Sequence, residues 1–120
     1  MVGVLIDACG WASLIDARMN LDIALEGVVG RPELFLTSGV RSELVALEGE
    51  RGGLLLDLLY ARASTVEAPE GHTDDALVSL ALENSWPVLT VDRGLKERLI
   101  EGGGSYIEVT SGHSLRLVGA

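Results

Sequence analysis

TDDALVSLALENSWPVLTVDRGLKERL, residues 73–99, packs a helix, a strand and a second helix into one uninterrupted run. Ala76, Leu80 and Ala81 share one side of a helix over 75–84, with Thr73 as its expected cap and Asp74 and Asp75 in its first turn. Pro87–Val91 (PVLTV) is continuously apolar, the pattern of a strand buried on both faces. It ends at Asp92, and a helix follows over Leu95–Glu101.

The amino terminus repeats the arrangement. Val2–Ile6 (VGVLI) is a second apolar run, it ends at Asp7, and a helix is expected over Trp11–Ala17. Between these two units lie weaker strand candidates at Glu33–Thr37 and Ser64–Glu67, with another at Ser105–Val109. Helices are expected at Leu21–Val28 after an Asn20 cap, at Val40–Leu47 after Ser38, and at Leu54–Ala63. Strands alternating with helices predict an α/β fold with a parallel sheet, because parallel neighbours need a crossover and a helix is the usual one. The expected architecture is a three-layer α/β/α sandwich with a five-stranded parallel sheet. Gly102–Gly104 follows the last helix and suits a helix stop rather than a phosphate loop.

At 120 residues, 48% hydrophobic and 22% charged, residues 1–120 suit a single domain with a substantial core. No apolar stretch approaches the roughly 20 residues that cross a bilayer, and the start lacks the basic and long apolar regions of a signal peptide, so a cytoplasmic protein without a membrane partner is expected. The single cysteine, Cys9, excludes an internal disulfide and any zinc site built from Cys-x-x-Cys pairs. A net charge of −9 opposes general affinity for nucleic acid. Part of that excess is what a cation site would require.

In an open parallel sheet, ligands bind beyond the carboxyl ends of the strands, which is where Asp7 and Asp92 stand. Each also suits a helix cap, an alternative that the sequence leaves open. Glu43, about one turn into the helix after the second strand, is long enough to lean over the same crevice. Asp75 lies at the edge of its helix's apolar stripe, whereas Asp74 is turned about 100° from it. Both also complement the helix dipole. Close carboxylates repel by on the order of 4 kcal/mol per pair at intermediate dielectric, a cost that a shared divalent cation removes. Oxygen ligands suit Mg²⁺ or Mn²⁺, and such ions support phosphodiester hydrolysis.

Three stretches resemble the PIN domain nucleases, a family that includes VapC-type toxins and archaeal rRNA-processing proteins. VLIDACGWASL is similar to its first strand and acid, and LTSGVRSEL places Glu43 on its second acid. TDDALVSLALENSWPVLTVDRGLKERL is similar to its Asp-Ala helix and Thr-x-Asp-Arg strand end. The resemblance implies a metal-dependent endoribonuclease acting on RNA in rRNA processing or as a toxin, with Asp7, Glu43, Asp75 and Asp92 as catalytic and metal-binding residues. It adds Thr90 as a supporting hydroxyl, and Asp74, by its place in the same first turn, is a further candidate for support. A homodimer and an antitoxin or ribosome-assembly partner are also implied. Ala8 and Cys9 depart from the Ser, Thr or Asn common after the first acid.

Arg41, Arg93 and Lys96 stand beside these acids and suit RNA phosphates, or else are solvated helix residues. His72 and His113 lack ligand spacing and are expected at the surface, Trp11 and Trp86 are expected in packing or dimer contacts, and Cys9 is expected as a small buried hydrophobe. Two other readings compete. A PIN fold serving as a silent scaffold or RNA-binding module is one. A Mg²⁺-binding receiver domain is the other, opposed by the unpaired acid at Asp7 and the helical position of Lys96.

Overall fold

The computed structural model describes residues 2–68 and 71–119. In chain order its elements are β1 (Gly3–Ile6), α1 (Ala8–Asp16), α2 (Leu21–Val29), β2 (Glu33–Leu36), α3 (Ser38–Arg51) and α4 (Leu56–Arg62). There follow β3 (Ala63–Thr65), α5 (Thr73–Asn84), β4 (Val88–Leu89), α6 (Arg93–Glu101), β5 (Ser105–Val109) and β6 (Leu115–Gly119). The sheet order is β3-β2-β1-β4-β5-β6. All four residues of β1 are buried, although successive side chains point to opposite faces. Both faces of the central strand are therefore covered, as the apolar runs predict.

The chain leaves β1 toward β2 and β3, then returns past β1 to β4 and β5, so the strand order reverses between β1 and β4. Right-handed crossovers place α1–α4 on one face and α5–α6 on the other. Contacts of α1 with α3 and of α5 with α6 agree with those layers. Five strands are mutually parallel, as expected.

The sheet has one strand more than the sequence reading allowed. β6 pairs antiparallel with β5 through a tight turn in which Thr110 N donates to Ser114 O at 2.8 Å. An antiparallel neighbour needs no crossover helix, so the strand–helix alternation carries no sign of it. Helix starts also shift by a few residues. α1 begins directly after Asp7, and Thr37 rather than Ser38 caps α3 by accepting from Val40 N at 3.1 Å. Thr73 lies inside α5, with His72 at the cap making no side-chain bond.

Both tryptophans are packing residues. Trp11 is fully buried and donates from Nε1 to Leu54 O at 2.7 Å, tying α1 to the chain before α4. Trp86 stacks on Phe35, with centroids 4.4 Å apart and planes at 7°.

Gly10 sets how closely α1 approaches the sheet, since a Cβ there would lie 2.2 Å from Leu89 O at the end of β4. The obstacle is backbone, so it cannot swing aside. Gly10→Ala is expected to cost about 1–3 kcal/mol, the range for overpacking. In thermal denaturation that should lower Tm by roughly 5–10 °C. An unchanged Tm would mean that α1 is free to move off β4.

Candidate active site

The strand reversal opens a crevice at the carboxyl ends of β1 and β4, and the residues that close those strands face one another. Asp7, 5% exposed, accepts at Oδ1 from Ala8 N at 2.9 Å and at Oδ2 from Thr90 Oγ1 at 2.7 Å. Thr90 is fully buried and in turn accepts from Asp92 N at 3.1 Å. Asp92 caps α6 by accepting from Leu95 N at 2.8 Å through Oδ1. Capping and site-building thus coexist here, because the bonds that cap each helix also fix its carboxylate at the crevice.

Cys9 is a half-buried donor rather than an inert hydrophobe. Its thiol donates to Asp7 Oδ2 at 3.2 Å and lies 3.4 Å from Thr90 Oγ1. Burial, and then the Asp7 charge, push its pKa up, so the thiol keeps the proton it donates. It supplies weakly the polar contact that Ser, Thr or Asn would give after Asp7.

Glu43 and Asp74 complete the group. The Glu43 side chain keeps much of its surface in water, yet partial desolvation of its carboxyl raises its pKa. The charges on Asp7 and Asp74 raise it further, against the opposing pull of the Thr73 hydroxyl and of His72. Asp74 is raised by desolvation first and then by Asp7 and Asp92. Both groups are carboxylates held near other carboxylates, where ionisation is costly.

Asp75 stands elsewhere. It is exposed and takes a 2.7 Å hydrogen bond from Arg98, linking α5 to α6. Adjacent helical residues differ by about 100° in direction, and the first turn of α5 gives the crevice to Asp74 and the α6 side to Asp75. His72 is exposed, as the sequence suggested, but lies near enough to Glu43 and Asp74 to favour their ionised forms. No ligand spacing marked it, because its neighbours come from α3 and its own helix start.

The three basic candidates differ in availability. Arg93 is almost fully exposed and pairs loosely with Glu97 at 3.4 Å. Lys96 is committed, bonding Glu108 at 2.6 Å and lying 5.3 Å from the Tyr106 ring centroid. Arg41 lies over the Tyr60 ring at 4.3 Å and donates to Thr65 Oγ1 at 3.3 Å.

Among the described residues, no three His, Cys, Asp or Glu side chains are gathered tightly enough to ligate one ion as they stand. The donor set nonetheless fits a hard divalent cation in its chemistry. Its strong donors are carboxylate oxygens, and the cost of ionising Glu43 and Asp74 beside their acidic neighbours is relieved by positive charge.

A family model described as a PIN-like domain matches residues 4–111. Among chains of known structure, that of the PIN domain endonuclease Utp24 is similar, with 21% identity and a TM-score of 0.78. The match covers 98% of this chain and 92% of that one, which establishes a shared fold. No curated protein matches.

A carboxylate whose pKa is raised by folding binds more protons in the folded state, so stability falls as pH rises from the ordinary carboxylate range through the raised value. Metal-free Glu43→Gln and Asp74→Asn should therefore be more stable than the parent by a few degrees at neutral pH. They should converge with it in acid, where these groups are protonated in every form. Glu108 and Asp16 are lowered by their basic partners and act in the opposite direction, but equally in all three proteins. Melting curves across pH test this, and variants less stable than the parent at neutral pH would refute the strained cluster.

Proposed function

The chain belongs to the PIN-like domain family, and from that premise we propose that it is a divalent-metal-dependent endoribonuclease. The observation that carries the reading is the gathering of carboxylates from four elements at the strand reversal, where the charges of Asp7 and Asp74 bear on Glu43 and those of Asp7 and Asp92 on Asp74. Asp7 follows β1, Glu43 lies on α3, Asp74 lies on α5 and Asp92 caps α6. These four would hold Mg²⁺ or Mn²⁺. The resemblance favours Asp75 as the fourth acid, whereas its ion pair with Arg98 favours Asp74.

A bound ion supplies an activated water and neutralises charge that builds on the phosphate. The protein's own part is orientation. Ala8 N, Thr90 and Cys9 fix both Asp7 oxygens, and Leu95 N fixes one oxygen of Asp92, so these carboxylates meet the substrate already aimed. In hydrolysis the water oxygen attacks phosphorus in line, one ester P–O bond breaks, and the departing oxygen takes a proton.

Single-stranded or structured RNA is the proposed substrate, in rRNA processing or as a toxin held by an antitoxin. A ribosome-assembly partner and a cytoplasmic site of action belong to the same reading. Among the described residues, no helix is long and apolar enough to cross a membrane. Exposed Val45, Leu55 and Leu58 on or beside α3 and α4 support a homodimer.

The test is cleavage of labelled single-stranded RNA with Mn²⁺ or Mg²⁺. Asp7→Asn and Asp92→Asn should each lose at least about 100-fold, more than changing a residue that merely supports a ligand. Asp74→Asn should lose a similar factor, and Asp75→Asn should stay within about tenfold. The reverse order for the last two would return the fourth ligand to Asp75. Mn²⁺ should also raise Tm of the parent and not of Asp7→Asn. No cleavage, with no Mn²⁺ bound by calorimetry, would leave a silent scaffold.

A further inference from the structure

Six of the nine basic residues are engaged by carboxylates: Arg51 by Asp16, Arg62 by Asp22, Arg93 by Glu97, Lys96 and Arg116 by Glu108, and Arg98 by Asp75. Among the described residues, Arg18, Arg31 and Arg41 have no such partner. Arg31 precedes β2 at the amino end of the sheet, away from the acids, and Arg18 lies in the turn between α1 and α2, beside the β5–β6 hairpin. Arg41 alone of the three shares an element with a site carboxylate, standing two residues before Glu43 on α3.

Its surroundings hold it in place. The guanidinium lies over the Tyr60 ring at 4.3 Å and donates to Thr65 Oγ1 at 3.3 Å. Thr65 ends β3 and pairs with Leu36, the residue before the α3 cap, so it lies on the same carboxyl edge as Asp7. Two strand spacings, roughly 10 Å, separate the β3 and β1 ends. Among the described residues the buried Tyr60 hydroxyl has no partner, which points to the ring face rather than the hydroxyl as what the position provides.

We infer that Arg41, stacked on Tyr60 and steadied by Thr65, is a preorganised subsite for an RNA phosphate flanking the one to be cut, and that the strand therefore runs across the β2–β3 side of the crevice. The ligand class rests on the endoribonuclease reading. A planar guanidinium fixed by an aromatic face and a hydroxyl still has donors to offer phosphate oxygens, with little side-chain freedom left to lose. Arg93 is nearer Asp92 but lacks such support, and Lys96 would first have to leave Glu108.

The experiment measures binding apart from cleavage. Fluorescence anisotropy of an end-labelled single-stranded RNA is recorded with Asp7→Asn as parent, across a salt series. Adding Arg41→Ala should weaken binding about tenfold and reduce the slope of log K against log salt by about 0.7, the share of one phosphate contact on a single strand. Arg41→Gln should do the same and serves if the alanine variant folds poorly. Arg41→Lys should recover part of the affinity, Tyr60→Phe all of it, and Tyr60→Leu should weaken binding without changing charge. An Arg41→Ala protein with the parent's melting temperature, affinity and salt slope overturns the subsite, as does a parent that binds no RNA. Wild type that binds RNA through Arg41 but never cuts it would sink the hydrolase reading and leave the subsite standing.

Discussion

The hydrogen bond from Thr90 to Asp7, 2.7 Å long and shut away from water, joins the carboxyl ends of two adjacent parallel strands where the chain's path reverses. Crossovers diverge from β1 and β4 to opposite faces, so no helix fills the space between their ends. Left open, that gap would expose the polar ends of both strands. Here it is closed by a carboxylate, a hydroxyl and a thiol that satisfy one another. Gly10 belongs to the same constraint, because only a residue without Cβ lets α1 leave Asp7 directly and still lie against β4. The backbone that builds the sheet and the side chains that build the site are thus fixed by one set of contacts.

The charge balance follows from this arrangement. With eighteen acidic residues against nine basic ones, the chain is a poor general binder of polyanions. Two-thirds of its cations are held by its own carboxylates, some across distant parts of the sequence, as Arg51 is by Asp16. The exposed pairs among them add little stability, but together they remove free positive charge from most of the surface. Affinity for a phosphodiester would then concentrate where carboxylates are neutralised by a cation and where a guanidinium is left uncommitted. Such a protein would discriminate by position rather than by bulk attraction.

The fold was legible because its two most apolar runs are too short for helices, end in acids and are spaced for crossovers. Val2–Ile6 and Pro87–Val91 anticipate the buried centre of the sheet at β1 and β4. The parallel order and the α/β class follow from them. β6 was hidden because the alternation rule addresses parallel neighbours, and because its mixture of Leu115, Arg116 and Leu117 at a half-exposed edge has no single buried face. Asp7 and Asp92 were visible as strand ends, since strand termini in this topology have a known destination, whereas Thr90 entered only through the family resemblance. Glu43 was visible through its side-chain length. The polar role of Cys9 was not, because a thiol reads as a hydrophobe until the acid it faces is known.

Asp74 and Asp75 mark where sequence reasoning stops resolving. Both occupy the first turn of one helix, where any acid is favoured by the dipole, so residue type carries no distinction between them. Assigning Asp75 to the crevice from the apolar stripe assumed that the core and the site lie on the same side of α5. The two sides need not coincide, because α5 packs against α6, and Arg98 of α6 meets Asp75 on that side. The acid that meets Arg98 directly gains a partner, and the acid beside it is raised by desolvation and by Asp7 and Asp92, against a weaker pull from Arg98 and His72. A group whose ionisation the fold makes costly gains most from a cation, and this is the ground on which Asp74 rather than Asp75 is proposed as the fourth acid.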